Sequence, residues 1–256
     1  MHNYICNKCS KEFETRKKGQ TYCSKSCANG INATKTKINE KSIFSKGICS
    51  ISAYILAIIL SDGCLSYDAH SHRYRITVTM NDYSIIKYLR DNYSPDKKIY
   101  EYKHKIGRAV SYTFITTNEF DINYLRNLGV VERKSNIIKF PIIKDTYKRH
   151  IIRGIFDGDG SIYINKTKTN HNGIVKRYEY INASFTSGSY EFAKSILDIL
   201  TKADIHCSLV KDSRRDNNCW YVKIYSREAI KRLYKYMYNY SSIYLDRKRD
   251  LFKVMI

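Results

Sequence analysis

The sequence predicts an α+β protein, a duplicated α-β-β-α-β-β-α unit behind a small N-terminal metal-binding module. Three observations carry this. An apolar helix-length segment ending in Asp-Gly occurs twice, in "ILAIILSDGCLSY" (55–67) and "RGIFDGDGSIYI" (153–164), with Asp62 and Asp159 97 residues apart. After each, the hydrophobic period changes from helical to strict alternation. Before both lie four closely spaced cysteines, Cys6-x2-Cys9 and Cys23-x3-Cys27.

Bulk composition narrows the function. The chain has 256 residues, with 45 Lys plus Arg against 24 Asp plus Glu, a formal charge of +21. An A/T-rich coding bias would enrich Lys, Ile, Asn and Tyr, but it would not deplete carboxylates. A polyanionic partner, nucleic acid first, explains the excess of positive over negative charge. The N-terminus "MHNYICNKCS" lacks an apolar signal core, and the longest apolar run, Ala53 to Leu60, is eight residues. That is far short of the roughly twenty that span a bilayer. A soluble intracellular protein with no membrane partner is expected, its eight cysteines mostly thiols.

Taken in order, residues 1–30 form the first module. Thirteen residues separate its cysteine pairs, with Phe13 the one apolar anchor in the loop. Such a segment cannot build a core. Cys6, Cys9, Cys23 and Cys27 would supply four thiolates to one tetrahedral Zn²⁺, which would provide most of the folding free energy. The alternative is four unrelated thiols. Residues 31–48 are basic, polar and aperiodic, and are read as a linker that lies along phosphate or simply spaces the parts.

Residues 49–256 carry the duplication, divided at 140/141. The first motif helix, "ISAYILAIILSD" (51–62), is followed by a strand with Arg73, Arg75, Thr77 and Thr79 alternating with Tyr74, Ile76, Val78 and Met80. A helix with the stripe Ile85, Ile86, Leu89 comes next. A strand pair turning near Gly107 and a helix over Ile122–Leu128 close the unit. The second motif helix, "KRHIIRGIFDGD" (148–159), is followed by Tyr178, Tyr180, Asn182, Ser184 and Thr186 alternating with Ile181, Ala183 and Phe185. A helix with Phe192, Ile196, Ile199, Leu200 and Ala203 follows. Strands "IHCSLVK" and "CWYVKIYS", joined by "DSRRDNN", and a helix over Glu228–Met237 end the repeat. Repeats of this size imply pseudo-twofold packing.

The motif helices are apolar nearly all round, so they are expected to bury against each other. Ala57 and Gly154, each five residues before the motif aspartate, allow close approach. Asp62 and Asp159 would then meet at two helix C-termini, where two carboxylates and two negative helix ends call for a cation. Oxygen ligands point to a hard ion, Mg²⁺. Asp-Gly is also a common turn and helix cap. An EF-hand fits poorly, since Ile162 and Lys168 fall where Gly and Glu are required.

"ILAIILSDG" (55–63), "IRGIFDGDG" (152–160) and the longer stretch "ERKSNIIKFPIIKDTYKRHIIRGIFDGDGSI" (132–162) resemble the LAGLIDADG homing endonucleases in their single-chain, two-motif form. "YCSKSC" resembles the small zinc modules attached to phage and mobile-element nucleases. The resemblance implies a saddle of two antiparallel sheets lying along DNA, with the motif helices at its centre. It implies a monomeric, Mg²⁺-dependent site-specific endonuclease, cutting both strands of a long asymmetric or pseudo-palindromic duplex site to leave 3′ overhangs. The alternative is a non-cleaving RNA maturase or DNA-binding regulator on the same saddle. Asp62 and Asp159 become the metal-binding acids, with Ser61 or Gly158 adding a backbone carbonyl. Lys134 and Lys248 become the basic partners, with Arg133 and Arg247 as their close competitors. Arg73 and Arg75 in one half and Tyr221, Lys223 and Tyr225 in the other are the candidate DNA readers. Leu60, Ile55 and Arg153 depart from the motif.

Overall fold

The computed structural model describes residues 1–7, 9–32, 42–103, 109–171, 174–213 and 218–255. The expected turn near Gly107, part of the loop after Lys211 and the middle of the 31–48 stretch lie outside these residues.

The first module is a two-stranded antiparallel sheet, β1 (His2–Ile5) with β2 (Glu12–Thr15), followed by helix α1 (Lys25–Asn32). Its loops are held by backbone bonds. Cys6 N–H donates to Lys11 O at 2.9 Å, and Asn7 N–H to Thr21 O at 3.0 Å. Ser24 Oγ accepts from Cys27 N–H at 3.2 Å, setting the first turn of α1.

Repeat one runs α2 (Ser50–Asp62), β3 (Gly63–Asp68), β4 (Arg73–Met80), α3 (Tyr83–Tyr93), β5 (Ile99–Tyr102), β6 (Ser111–Thr116) and α4 (Glu119–Asn127). Repeat two runs α5 (Asp145–Asp159), β7 (Gly160–His171), β8 (Ile174–Ser187), α6 (Tyr190–Lys202), β9 (Ser208–Lys211), β10 (Trp220–Ile224) and α7 (Arg227–Tyr238). The two four-stranded antiparallel sheets have the same order, β3-β4-β6-β5 and β7-β8-β10-β9. The duplicated α+β architecture is therefore present with its expected element order. One addition is a short C-terminal helix, α8 (Asp246–Met255). Its sequence, DRKRDLFKVM, is too charged to stand out as core, yet Phe252 is fully buried in it.

The motif helices pack on each other at the centre. Every residue of α2 from Ser52 to Leu60 is buried. In α5 only Ile151 to Asp157 are buried, and these include Arg153 and Asp157, so the all-round apolar character expected of both motif helices holds for α2 and not for α5. Gly154 sits at the contact, where an added Cβ would lie 2.5 Å from Ala57 Cβ and 2.9 Å from Tyr54 O. No larger residue fits without moving a helix.

Alternation on β4 matches its expected faces, with Ile76, Val78 and Met80 buried. On β8 the polar face is also covered near the centre. Asn182 and Ser184 are buried, and Ser184 Oγ shares a 2.8 Å bond with Ser161 Oγ. The hairpins differ in length: β7 and β8 have 12 and 14 residues, against 6 and 8 in β3 and β4. Just before α2, Phe44 is buried against Tyr93 and Tyr124, and Ser42 Oγ donates to the buried Asp121 carboxylate. The stretch preceding α2 is thus fastened to repeat one.

Candidate active site and metal centres

In the N-terminal module the Sγ atoms of Cys6, Cys9, Cys23 and Cys27 all lie within 4.8 Å of one another. The Cys9–Cys23 and Cys23–Cys27 separations are both 3.6 Å. Tetrahedral zinc with Zn–S bonds of about 2.3 Å puts its sulfurs about 3.8 Å apart, so the cluster fits that ion. The neighbouring thiols of Cys9, then Cys27 and Cys6, push the Cys23 thiol up to about 12. A divalent cation reverses this by stabilising thiolates.

The central site is built by the ends of α2 and α5, whose last residues are Asp62 and Asp159. Ser61 Oγ donates to Asp62 Oδ2 at 2.8 Å and fixes that carboxylate. A Cβ on Gly158 would overlap Ser61 Oγ and Asp62 Oδ2, so the two helix ends touch at the acids. Asp159 is reached by solvent but walled by protein. Its carboxyl is pushed up to about 6, first by burial and then by the Asp62 charge, against the pull of Lys134 and Lys248. Burial also raises Asp62, opposed by the Ser61 bond and the same two lysines. Two acids that resist ionisation side by side, with oxygen donors only, fit a hard divalent cation.

A lysine from elsewhere in the chain caps the end of each motif helix. Lys134 opens a short 3-10 turn (Lys134–Asn136) after repeat one, and its Nζ donates to Ser61 O at 3.2 Å and Gly63 O at 2.6 Å. Lys248 comes from α8. Its Nζ donates to Phe156 O, Asp157 O and Gly158 O at 2.8, 2.7 and 2.9 Å. Cations on the last carbonyls of a helix oppose its dipole. The Ser61 and Gly158 carbonyls, expected as extra metal donors, are thus engaged by lysine. Burial lowers both ammonium groups, Lys248 to about 8, where Arg247 adds to the effect.

Of the neighbouring arginines, Arg247 makes a two-pronged bond to Asp82, Nε to Oδ1 at 3.1 Å and Nη2 to Oδ2 at 3.0 Å. Arg133 is exposed, with left-handed backbone at φ 51°.

The candidate DNA readers lie on sheet faces turned away from the core. Arg73 and Arg75 are exposed on β4, with Arg75 near Ser66 Oγ (3.4 Å) and Asp68 (3.7 Å). Tyr221 and Lys223 pair with Thr186 and Ser184 across β10 and β8, and Lys223 Nζ sits 5.5 Å over the Tyr221 ring. Tyr225 is exposed just past β10.

Asp157, the sixth residue of the second motif, anchors a network that its motif position alone does not specify. It is fully buried and accepts from Tyr54 OH (2.8 Å), Tyr238 OH (3.0 Å) and Leu245 N–H (3.1 Å). Arg153, also buried, lies over the Tyr54 ring at 5.0 Å and donates to Met237 O at 3.2 Å. The off-motif Arg153 and the motif Asp157 therefore belong to one polar core cluster.

Residues 146–238, from α5 to the end of α7, match the family described as a LAGLIDADG-like domain. Solved structures share the fold over most of the chain. The I-LtrWI LAGLIDADG homing endonuclease bound to target DNA aligns at 10% identity and TM-score 0.56, covering 80% of this chain and 89% of that one. The LAGLIDADG meganuclease I-AabMI bound to uncleaved DNA aligns at 12% and 0.54, covering 81% and 90%. Mesophilic variants of the homing endonuclease I-DmoI align at 16% and 0.54, covering 79% and 96%. No curated protein matches the sequence. The saddle of two-motif LAGLIDADG homing endonucleases is the fold of this chain.

Proposed function

We propose that this chain is a site-specific endonuclease that hydrolyses both strands of double-stranded DNA with Mg²⁺, leaves 3′ overhangs and acts as a monomer. The observation that carries the reading is the meeting of α2 and α5, each ending in an acid and each held by its own lysine. The solved neighbours described as bound to DNA support the choice of partner, as does a charge of +21. Residues 1–30 would be a Zn²⁺ module on Cys6, Cys9, Cys23 and Cys27, and residues 49–256 the catalytic part.

Asp62 and Asp159 would hold the metal. A divalent ion bound there supplies a Lewis acid that activates water and neutralises charge on the phosphate. Ser61 keeps the Asp62 carboxylate in one orientation. Lys134 and Lys248 hold the helix ends that carry both acids, and an ammonium beside a leaving oxygen stabilises its developing charge. Arg73, Arg75, Tyr221, Lys223 and Tyr225 would contact the duplex from the sheet faces, through phosphates and base edges.

A randomised duplex library incubated with the protein and Mg²⁺ tests this. Recovered ends should share a site and carry 3′ overhangs, and chelator should stop the reaction. Asp62→Asn and Asp159→Asn should abolish cutting and leave duplex affinity nearly unchanged. Binding without cutting by the unaltered chain would favour the regulator or maturase reading, and wild-type rates in both variants would remove the acids from the mechanism.

A further inference from the structure

We propose that the two strand-cutting centres are inequivalent, and that the strand served by Lys134 is cut before the strand served by Lys248. The proposal rests on the endonuclease reading above.

The argument is a count of protons. An ammonium has three N–H donors and no acceptor. Lys248 places three bonds on the Phe156, Asp157 and Gly158 carbonyls, and only 5% of the residue is exposed. Nothing remains to meet a DNA oxygen. Lys134 places two bonds, on Ser61 O and Gly63 O, is only half-buried, and lines an open cavity with Ser61, Asp159 and Gly188. One of its protons is available on the side where a phosphate would enter.

The next basic residue repeats the asymmetry. Arg247 is held in two-pronged contact with Asp82, whereas Arg133 is exposed and makes no ion pair among the described residues. Asp82 gives up another bond to do this. It stands at the N-cap of α3 yet its side chain makes no capping bond, while the side chain of Ser189, its counterpart before α6, accepts from Phe192 N–H at 3.3 Å. Asp82 is thus a positioning residue that draws Arg247 away from the reacting oxygens.

The chemistry on each strand is the same. A water oxygen forms a bond to phosphorus, and the bond from phosphorus to the leaving sugar oxygen breaks. The water's proton goes to solvent, and the leaving oxygen takes one up. A free N–H beside that oxygen lowers the barrier, and one such donor is worth about 10²–10³ in rate. The Lys134 centre has one ready. The other must first free Lys248 from a helix end or Arg247 from Asp82. A second cut at least about tenfold slower follows.

The test uses the full chain with Mg²⁺ and supercoiled plasmid carrying one library-selected site, under single-turnover conditions. Nicked circle should accumulate, with the nick on one strand. Asp82→Asn should release Arg247 and lower the nicked fraction. Arg247→Gln removes the same ion pair but should slow the second cut further. A purely structural role would move both variants the same way. Lys134→Met should slow the first cut by about 10² or more. In the DNA-free protein, amine acylation read by mass spectrometry should label Lys134 at least about ten times faster than Lys248. Linear product without a nicked intermediate, nicks spread evenly over both strands, parallel effects of the Asp82 and Arg247 changes, or equal labelling would each overturn the order. A chain that binds duplex and cuts none removes the endonuclease reading itself, and the proposal with it.

Discussion

Gly158 of α5 and Asp62 of α2 touch so closely that a methyl on Gly158 would overlap Asp62 Oδ2 and Ser61 Oγ. The glycine leaves room for the carboxylate and the serine that orients it. Gly158→Ala should therefore displace Asp62 with little effect on the remainder of the core. Cleavage should fall at least about tenfold, the scale of a small misplacement at a reacting centre. The Mg²⁺ concentration for half-maximal rate should rise. Unchanged metal dependence in a slowed enzyme would show that Asp62 had not moved.

Asp157 collects three donors in the core, from Tyr54, Tyr238 and Leu245. Asp157→Leu copies the residue that repeat one carries at this motif position, Leu60, which is itself buried. The swap is apolar and similar in volume, but it strands buried donors. A loss of about 2–4 kcal/mol is expected in denaturant unfolding. A loss below about 1 kcal/mol would mean that the tyrosines find other acceptors.

The same aspartate gives a pH signature. Burial raises Asp157 to about 6, against the Tyr54, Tyr238 and Leu245 bonds and the nearby Lys248 charge. Its folded value lies above the unfolded one, near 3.9. The folded state then holds more protons between these values, so this contribution to stability is present in acid and is lost as pH rises through about 6. Asp121 and Asp159, each at about 6, act in the same direction. His150, lowered by burial to about 4, acts the opposite way. Comparing unfolding midpoints of wild type and Asp157→Asn from pH 4 to 7 without metal isolates one group. The wild type should lose stability relative to the variant as pH rises, and parallel curves would refute it.

The four-cysteine cluster should carry one Zn²⁺ per chain by elemental analysis of natively purified protein. Cys23→Ser should abolish it, because Cys23 lies 3.6 Å from both Cys9 and Cys27. Chelation should remove amide-exchange protection from β1, β2 and α1 and leave α2 and α5 protected. Their packing comes from apolar burial rather than from metal.

The duplication was legible because it lies in short-range patterns. Ile76, Val78 and Met80 alternate within one strand, and the apolar run of α2 is continuous in sequence. The pair Ala57 and Gly154 could be found by aligning two copies of one motif. Asp157 could not be assigned its partners, since Tyr54, Tyr238 and Leu245 lie far away along the chain and meet only when the helices pack. Lys248 is legible in sequence as a basic residue that follows the last helix of its repeat. Whether its protons face solvent or a helix end depends on α8, whose charged sequence gives little helix-face signal. The Arg247–Asp82 pair joins the two halves and has no local signature.

The unequal hairpins give the saddle a direction. β7 exceeds β3 by six residues, and β8 exceeds β4 by the same number. At about 3.3 Å per residue this adds about 20 Å of reach, and at 3.4 Å per step that is about six base pairs along a duplex. Tyr163, Tyr178 and Tyr180 are exposed along this arm, with Lys166, Lys168, Lys176 and Arg177 beside them. A molecule whose centre is nearly twofold therefore has one long end and one short end. On the duplex of the proposed function, the molecule turned around would set its long arm against the wrong flank. Its core symmetry would permit two orientations, and the arm would leave one.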